Sequence, residues 1–301
     1  MNLQTQFETE RLTLRPLALT DTAFIIALLN SPGWIAYIGE RNIRTTDDAV
    51  AYINKINSNT AIQYWVVCRK TDGAAAGLVT CIKRDYLDHP DIGFAFLPEV
   101  EGRGFAYEAA SVLLKYLLHE TAFTTMLATT VPENVRSIRL LEKLGLHFQR
   151  EIINEGNVLR VFAISAAEAE LQQLVNAFYD LFTNADGKEP QLHAINALCI
   201  PGAVIIKQEK QQQTVYNLET FVAPREKILR DGTLTGFCES EIAAETKCVN
   251  ETAQRFSRYR KSGVMNGVPF EAQGTKLFHF VKTASGWRIA GLLWEDDVTA
   301  Q

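Results

Sequence analysis

The sequence predicts two domains in tandem: a mixed-sheet α/β domain over residues 1–165, then an α+β domain with a curved antiparallel sheet over residues 166–301. Three observations lead there. A length of 301 residues corresponds to about two ordinary domains. Up to Ser165, short strand-like and helix-like segments alternate, the pattern of a layered α/β sheet. From Ser165 onward the pattern changes to a helical stretch followed by four long strand-like runs.

In the first domain, Arg11 to Arg15 reads as a short strand. Thr20 or Asp21 supplies the cap of a helix running to about Asn30, since both side chains can accept from orphaned N–H groups. Ser31 to Ile43 reads as a loop or short helix, and Thr46 opens a helix with Val50, Tyr52, Ile53 and Ile56 on one face. Gln63–Cys68 and Ala75–Ile82 read as strands, joined by the turn Thr71-Asp72-Gly73. Asp91–Leu97 is an apolar core strand ended by Pro98, and a long amphipathic helix starts at Phe105. A strand over Thr124–Val131 precedes a helix opened by Asn134 and ended by Gly145. Leu146–Ile152 and Val158–Ile164 pair as a hairpin across Asn154-Glu155-Gly156.

In the second domain, Ser165–Gly187 reads as one capped helix with Leu171, Leu174, Val175, Phe178, Leu181 and Phe182 on a face. A short helix over Pro190–Leu198 leads into Pro201-Gly202-Ala203, and Asn217–Asp231 is helical with an interruption at Pro224. The strand-like runs cover about Thr235–Ala244, Val249–Arg260, Glu271–Thr283 and Trp287–Glu295, the last two joined at Ala284-Ser285-Gly286.

Composition narrows the function classes. A net charge of −5 without a block of Lys and Arg argues against a broad nucleic-acid face. The opening MNLQTQFETERL lacks the basic-then-apolar pattern of a secretory signal. No apolar run approaches the roughly 20 residues of a membrane span. Cys68, Cys81, Cys199, Cys238 and Cys248 are scattered and form neither a metal-type pair nor a disulfide framework. The expectation is a reduced, cytoplasmic protein with no metal site and no nucleic-acid or membrane partner.

The chemistry concentrates between Asp91 and Glu120. Gly102 and Gly104 bracket Arg103 at a strand-to-helix turn. Glycines let an anion approach the backbone closely, and the N–H groups that open a helix favour a phosphate there. The spacing fits neither the phosphate loop of nucleotide hydrolases nor the three-glycine dinucleotide fingerprint. What remains is Glu101-x-x-Gly104-x-Ala106.

That segment resembles motif A of the GNAT acetyltransferases, Gln/Arg-x-x-Gly-x-Gly/Ala. Gly102-Arg103-Gly104-Phe105-Ala106-Tyr107-Glu108-Ala109 is most similar to the run found in the ribosomal-protein N-terminal acetyltransferases. Glu8–Leu17 resembles the family's first strand, and Asn134–Phe148 its motif B. The resemblance implies that acetyl-CoA binds between two splayed parallel strands, here Asp91–Leu97 and Thr124–Val131. Backbone groups at Phe96 and Leu97 would hold the pantetheine arm, and Glu101, Gly102, Arg103, Gly104, Phe105 and Ala106 the pyrophosphate. Glu101 departs from the usual Gln or Arg and implies weaker phosphate affinity. Asn134 resembles the family asparagine that contacts the cofactor arm and can equally be a plain helix cap; Ser137, one turn on, could hydrogen-bond the pantetheine or the leaving thiolate, or is an exposed helix serine.

For catalysis, the resemblance points to Asp91, where some relatives place a proton-accepting carboxylate; the bland alternative is a strand-edge carboxylate. His89, two residues upstream, is either a relay or a surface histidine. Many relatives carry a tyrosine acid where this helix has Leu140 and Leu141. Trp34, Tyr37 and Tyr64 are either walls of the acceptor site or core aromatics. The acceptor implied is a primary amine, on a protein N-terminus or a small metabolite.

The second domain resembles the SnoaL-like, nuclear-transport-factor-like cone fold. The residues carrying that resemblance are Phe178–Phe182, Pro201-Gly202-Ala203 and Gly286–Ile289. That fold hosts enzymes and non-catalytic modules alike. A homodimer through this domain, or a small ligand in it, is expected. His279, Glu239 or Glu241 with Tyr259 could form an acid–base set in a cone pocket. The competing readings are a non-catalytic CoA-binding regulator with a metabolite-sensing cone, and an isomerase or hydrolase in the cone.

Overall fold

The computed structural model describes Leu3 and residues 5–297. The chain forms two compact units, with the boundary between Ala169 and Glu170.

The first unit is built on an eight-stranded sheet. Its elements are β1 (Phe7–Glu8), β2 (Leu12–Pro16), α1 (Thr22–Leu29), α2 (Pro32–Tyr37), α3 (Thr46–Ser58), β3 (Ile62–Arg69) and β4 (Ala75–Ile82). Then come β5 (Asp91–Phe96), α4 (Phe105–His119), β6 (Thr125–Thr130), α5 (Val135–Lys143), β7 (His147–Asn154) and β8 (Asn157–Ser165). The strand order is β1-β2-β3-β4-β5-β6-β8-β7, and only β5–β6 is parallel.

Strand alternation assigns the two faces. Leu12, Leu14, Trp65, Ile92, Met126 and Ala128 point to one face, where Ala109, Leu113 and Leu117 of α4 and Leu141 of α5 cover them. Val66, Cys68 and Leu78 point to the other, under Ile25 and Leu28 of α1 and Ile53 of α3. Each fully buried aliphatic or aromatic side chain contributes about 1.5–3 kcal/mol, so these two layers dominate the unit's stability. The β7–β8 turn is two residues long, with Glu155 at φ 49° and Gly156 at φ 80°, the geometry that matches strand twist.

One expectation fails at the first helix. The Asp21 carboxylate caps no N–H of α1; it accepts from Ala18 N and takes both arms of the Arg15 guanidinium at 2.7 and 2.8 Å. A buried carboxylate gains more from a charged fork than from one amide.

The second unit has α6 (Ala166–Asp180) from Glu170 onward, α7 (Ile195–Leu198), β9 (Cys199–Glu209), β10 (Gln212–Tyr216), α8 (Leu218–Arg230), β11 (Leu234–Val249), β12 (Thr252–Met265), β13 (Val268–Thr283) and β14 (Gly286–Asp296). The six-stranded sheet runs β10-β9-β14-β13-β12-β11. The four runs read from the sequence, β11 to β14, pair antiparallel as expected, and β9 adds to β14 in parallel. Strands β9 and β10 lie outside the four runs legible in the sequence.

The helix expected to reach Gly187 stops at Asp180. Asn184 explains the stop: its amide ties the end of α8 to β11, donating to Leu229 O and Leu234 O and accepting from Phe237 N. Leu181 and Phe182 stay buried off the helix. Pro224, expected to interrupt, sits inside a continuous α8. Arg225 Nη1 donates to Phe221 O at 2.8 Å in that turn, adding a side-chain bond where the proline removes a backbone donor.

Candidate active site

The sheet of the first unit splits at β5 and β6. The two strands pair at one point, Asp91 opposite Leu127, with Leu127 N donating to Pro90 O at 2.9 Å. Beyond it β5 stays on β4 as far as Leu97 N→Ala76 O, and β6 stays on β8 through Thr130. The strands therefore diverge, and one edge of Gly93–Phe96 keeps unpaired backbone groups. Gly93 to Leu97 are only half-buried although β5 is an interior strand. Phe96 packs on Gly77, where an added Cβ would fall 2.5 Å from its ring.

The turn that follows is shaped by two left-handed residues. Gly102 has φ 74° and Gly104, the residue that caps α4, has φ 79°. A side chain at either position would be strained. No side chain caps α4, so its first N–H groups remain open toward Glu101–Gly104. Arg11 ties the turn down. Its Nη1 donates to Arg103 O at 3.0 Å, its Nε to Glu108 Oε2 at 2.7 Å, and its guanidinium lies 4.9 Å from the Phe105 ring. Thr9 and the Arg11 backbone also donate to Glu108, whose pKa is held low by these donors. Glu108 thus anchors the start of α4 to the β1–β2 segment. Glu101 forms an ion pair with Arg136 on α5, so its charge is partnered across the turn. Arg103 and Ala106 complete the segment, the first exposed and the second half-buried. An open groove of about 700 Å³ begins at Gly104 and runs along α4 past Lys115 and Lys143.

Asn134 caps α5, its Oδ1 accepting from Ser137 N at 3.1 Å. Ser137 is half-buried one turn in. Leu141 is buried in the core, and Leu140 packs against it.

Asp91 sits where the strands part. It is 2% exposed. Arg84 Nε donates to Oδ2 at 2.9 Å, and Thr129 Oγ1 to the same oxygen at 3.3 Å. Oδ1 is buried without a hydrogen-bond partner. Burial raises the Asp91 pKa above the usual carboxylate range, against the opposing pull of Arg84 and Thr129. Tyr86 closes the group, its hydroxyl hydrogen-bonded to Thr129 and its ring 5.9 Å from the Arg84 guanidinium. The neighbouring thiol, Cys81, is pushed by burial up to about 12, so it supplies no thiolate nucleophile.

The other sequence-derived residues fall unevenly. Trp34 is buried with Leu28 and Val66, and its Nε1 has no partner. Tyr64 packs against the same cluster and hydrogen-bonds Tyr52. Tyr64 also lies within electrostatic reach of Arg84, which links it to the Asp91 group. Tyr37 is exposed. His89 is exposed in a bend, whereas Asp91 is buried, so the two do not share a face. Arg84, Tyr86 and Thr129 went unread in the sequence. The opposite charges of Arg84 and Asp91 flanking one loop were the available signal.

In the second unit, Tyr259 is buried and Glu239 is ion-paired with buried Lys276 on the inward side, while His279 points to the other side and meets Gln254 at 3.4 Å. Phe278 and Phe280 occupy the inward positions on either side of it. Glu241 is bound by Arg255, Ser257 and Gln172, and Ser257 by Tyr179.

Residues 11–147 match the acetyltransferase (GNAT) domain family. The uncharacterized N-acetyltransferase YnaD of Bacillus subtilis is 29% identical over 153 residues, 50% of this chain and 88% of that protein. The uncharacterized protein YkkB of the same organism is 30% identical over 156 residues, covering 50% of this chain and 91% of its own. Among solved structures, the GNAT-family acetyltransferase from Bacillus anthracis is similar, with a TM-score of 0.47 and 25% identity over 54% of this chain and 99% of that one.

Proposed function

Residues 11–147 place the chain in the GNAT acetyltransferase family, acyltransferases that use acetyl-CoA, and from that premise we propose that it acetylates a primary amine by direct attack. The carrying observation is the single β5–β6 pair above a turn with two left-handed glycines. The residues present fit the donor. No heavy atom lies within 4 Å of where a Cβ would sit on Gly102, at Gly104 the neighbour is the Arg11 guanidinium at 3.4 Å, and the strand edge offers backbone groups to a pantetheine arm.

When bound, acetyl-CoA supplies a thioester carbonyl open to attack. Phe96 and Leu97 orient the arm, and Glu101–Ala106 hold the pyrophosphate. Asn134 keeps its Oδ1 for the α5 cap, which would leave its Nδ2 to donate to the arm. Asp91 takes the proton of the attacking amine at Oδ1, and Arg84 and Thr129 fix its orientation. Ser137 would be the hydroxyl donor to the departing sulfur. Trp34, Tyr37 and Tyr64 bound the acceptor, which is a protein N-terminus or a small metabolite amine, as in the ribosomal-protein N-terminal subgroup. The second domain, residues 166–301, is a SnoaL-like cone that dimerises or binds a ligand. The protein works in the cytoplasm.

A second reading, a CoA-binding regulator without turnover, is favoured by one observation: Leu140 and Leu141 leave that part of α5 without a phenol. Thiol release from acetyl-CoA against a panel of peptides and small amines separates the two. Amine-dependent release supports the transferase; CoA binding with no release across the panel supports the regulator.

A further inference from the structure

The inner face of the second sheet carries a second group of charges, independent of the acetyltransferase site. Lys276 on β13 is buried and ion-paired with Glu239 on β11. Its ammonium lies 3.7 Å from the Tyr259 ring centroid and 4.5 Å from that of Tyr179 on α6. Tyr259 donates to Asp296 at the end of β14, and Lys261 on β12 pairs with the same carboxylate. Helix α8 packs against β9 and β10 at one edge of the sheet and β11 at the other, and brings Arg225 to this group. The Arg225 guanidinium is half-buried among Phe221, Tyr216 and Trp294, with centroids at 3.9, 5.2 and 5.4 Å. Tyr216 and Trp294 stack on each other.

The charges do not balance. Glu239 and Asp296 are engaged by Lys276 and Lys261, and Lys207 nearby is paired with Glu209. Arg225 has a carbonyl and a phenol as its direct partners and shares Glu239 with Lys276 as its counter-charge, so three cations face two carboxylates. Burying a cation with only a shared counter-charge is costly. Burial lowers the pKa of both Arg225 and Lys276, against the opposing pull of Glu239. One negative charge completes the group, and the surrounding rings offer a flat apolar surface to whatever carries it.

We propose that Arg225, Lys261, Lys276, Tyr216 and Trp294 form a binding site for a planar organic monocarboxylate. The carboxylate takes the guanidinium N–H groups of Arg225 that Phe221 O and Tyr216 do not use, and the apolar body lies on the Tyr216–Trp294 stack. Glu239 and Asp296 keep the two lysines in place and limit the site to a single added charge. A phosphate dianion would overfill it.

The test titrates benzoate, benzamide and inorganic phosphate into the full chain by calorimetry, with saturating CoA present to fill the anion cradle of the first unit. Saturable binding of benzoate, none of benzamide, and at least tenfold weaker benzoate binding in Arg225→Gln are expected. No saturable benzoate binding, equal binding by Arg225→Gln, or preference for phosphate overturns the proposal. If Arg225→Gln fails to fold, Lys261→Gln replaces it at a partly exposed position. Its expected loss is also at least tenfold, and unchanged affinity overturns the proposal. These readouts do not depend on acetyl transfer, so either conclusion can fail without the other.

Discussion

Arg84 holds one carboxylate oxygen of Asp91 at 2.9 Å and leaves the other buried without a partner. A buried acceptor with no donor is costly, about 1–3 kcal/mol, and here it lies where β5 and β6 part. Burial also raises the Asp91 pKa, which makes the carboxylate a better base than an exposed one. Replacing Asp91 with Asn is expected to lower acetyl transfer by about 10²–10⁴-fold with little change in CoA affinity. The loss should be largest below the pKa of the acceptor amine, where most substrate is protonated. Steady-state rates across pH check this, and a loss below about tenfold at neutral pH would assign Asp91 a structural role.

The Lys276–Glu239 pair gives a stability prediction. Removing one partner of a buried pair leaves an uncompensated charge and typically costs about 3–5 kcal/mol. Lys276→Met should destabilise the second unit on that scale, and Lys276→Met/Glu239→Leu should recover most of it, as read by urea unfolding. A double variant no better than the single one would count against this reading.

The same lysine sets a pH trend. Burial pulls its amine down to about 8 from the ordinary 10.5. Between pH 8 and 10 the unfolded chain therefore binds more protons at this site, and stability from it rises as pH rises through that window. Glu239, Asp296, Lys261, Tyr179 and Tyr259 surround it, and the two phenols are themselves raised by burial, chiefly opposing the trend above pH 10. Unfolding free energies of wild type and the double variant at pH 8 and 10 isolate the contribution. A difference that does not grow with pH in the wild type's favour refutes it.

A fragment of residues 166–301 carries its own apolar layers, with Phe178, Phe278, Phe280 and Ile289 all buried within it. It is expected to melt cooperatively and to self-associate. A disordered fragment would refute the independent domain, and a folded monomer only the dimer.

Much of the first unit was legible because its signals are local. Pro98 and the Gly102–Gly104 turn mark the end of β5 and the start of α4 through backbone chemistry alone. Asn134 and Gly145 mark α5 in the same way. The misses involve partners distant in sequence. Asp21 left its helix for Arg15, and Asn184 left its helix for the backbone of β11. Strand β9 was hidden because its pairing with β14 joins residues about 90 positions apart. The Asp91 group was half-readable: its carboxylate follows from the strand boundary, but Arg84, Tyr86 and Thr129 converge only once the β4–β5 loop folds back.

The most direct test of the acyl-donor site is a calorimetric titration of CoA into wild type and Gly104→Val. Gly104 lies at φ 79° at the open start of α4, where a branched side chain both strains the backbone and fills the approach to its N–H groups. With the fold intact by circular dichroism, at least tenfold weaker CoA binding is predicted, about 1.4 kcal/mol or more. CoA affinity equal to wild type in the folded variant would contradict the placement of the pyrophosphate on the Gly102–Gly104 turn, and with it the site described above.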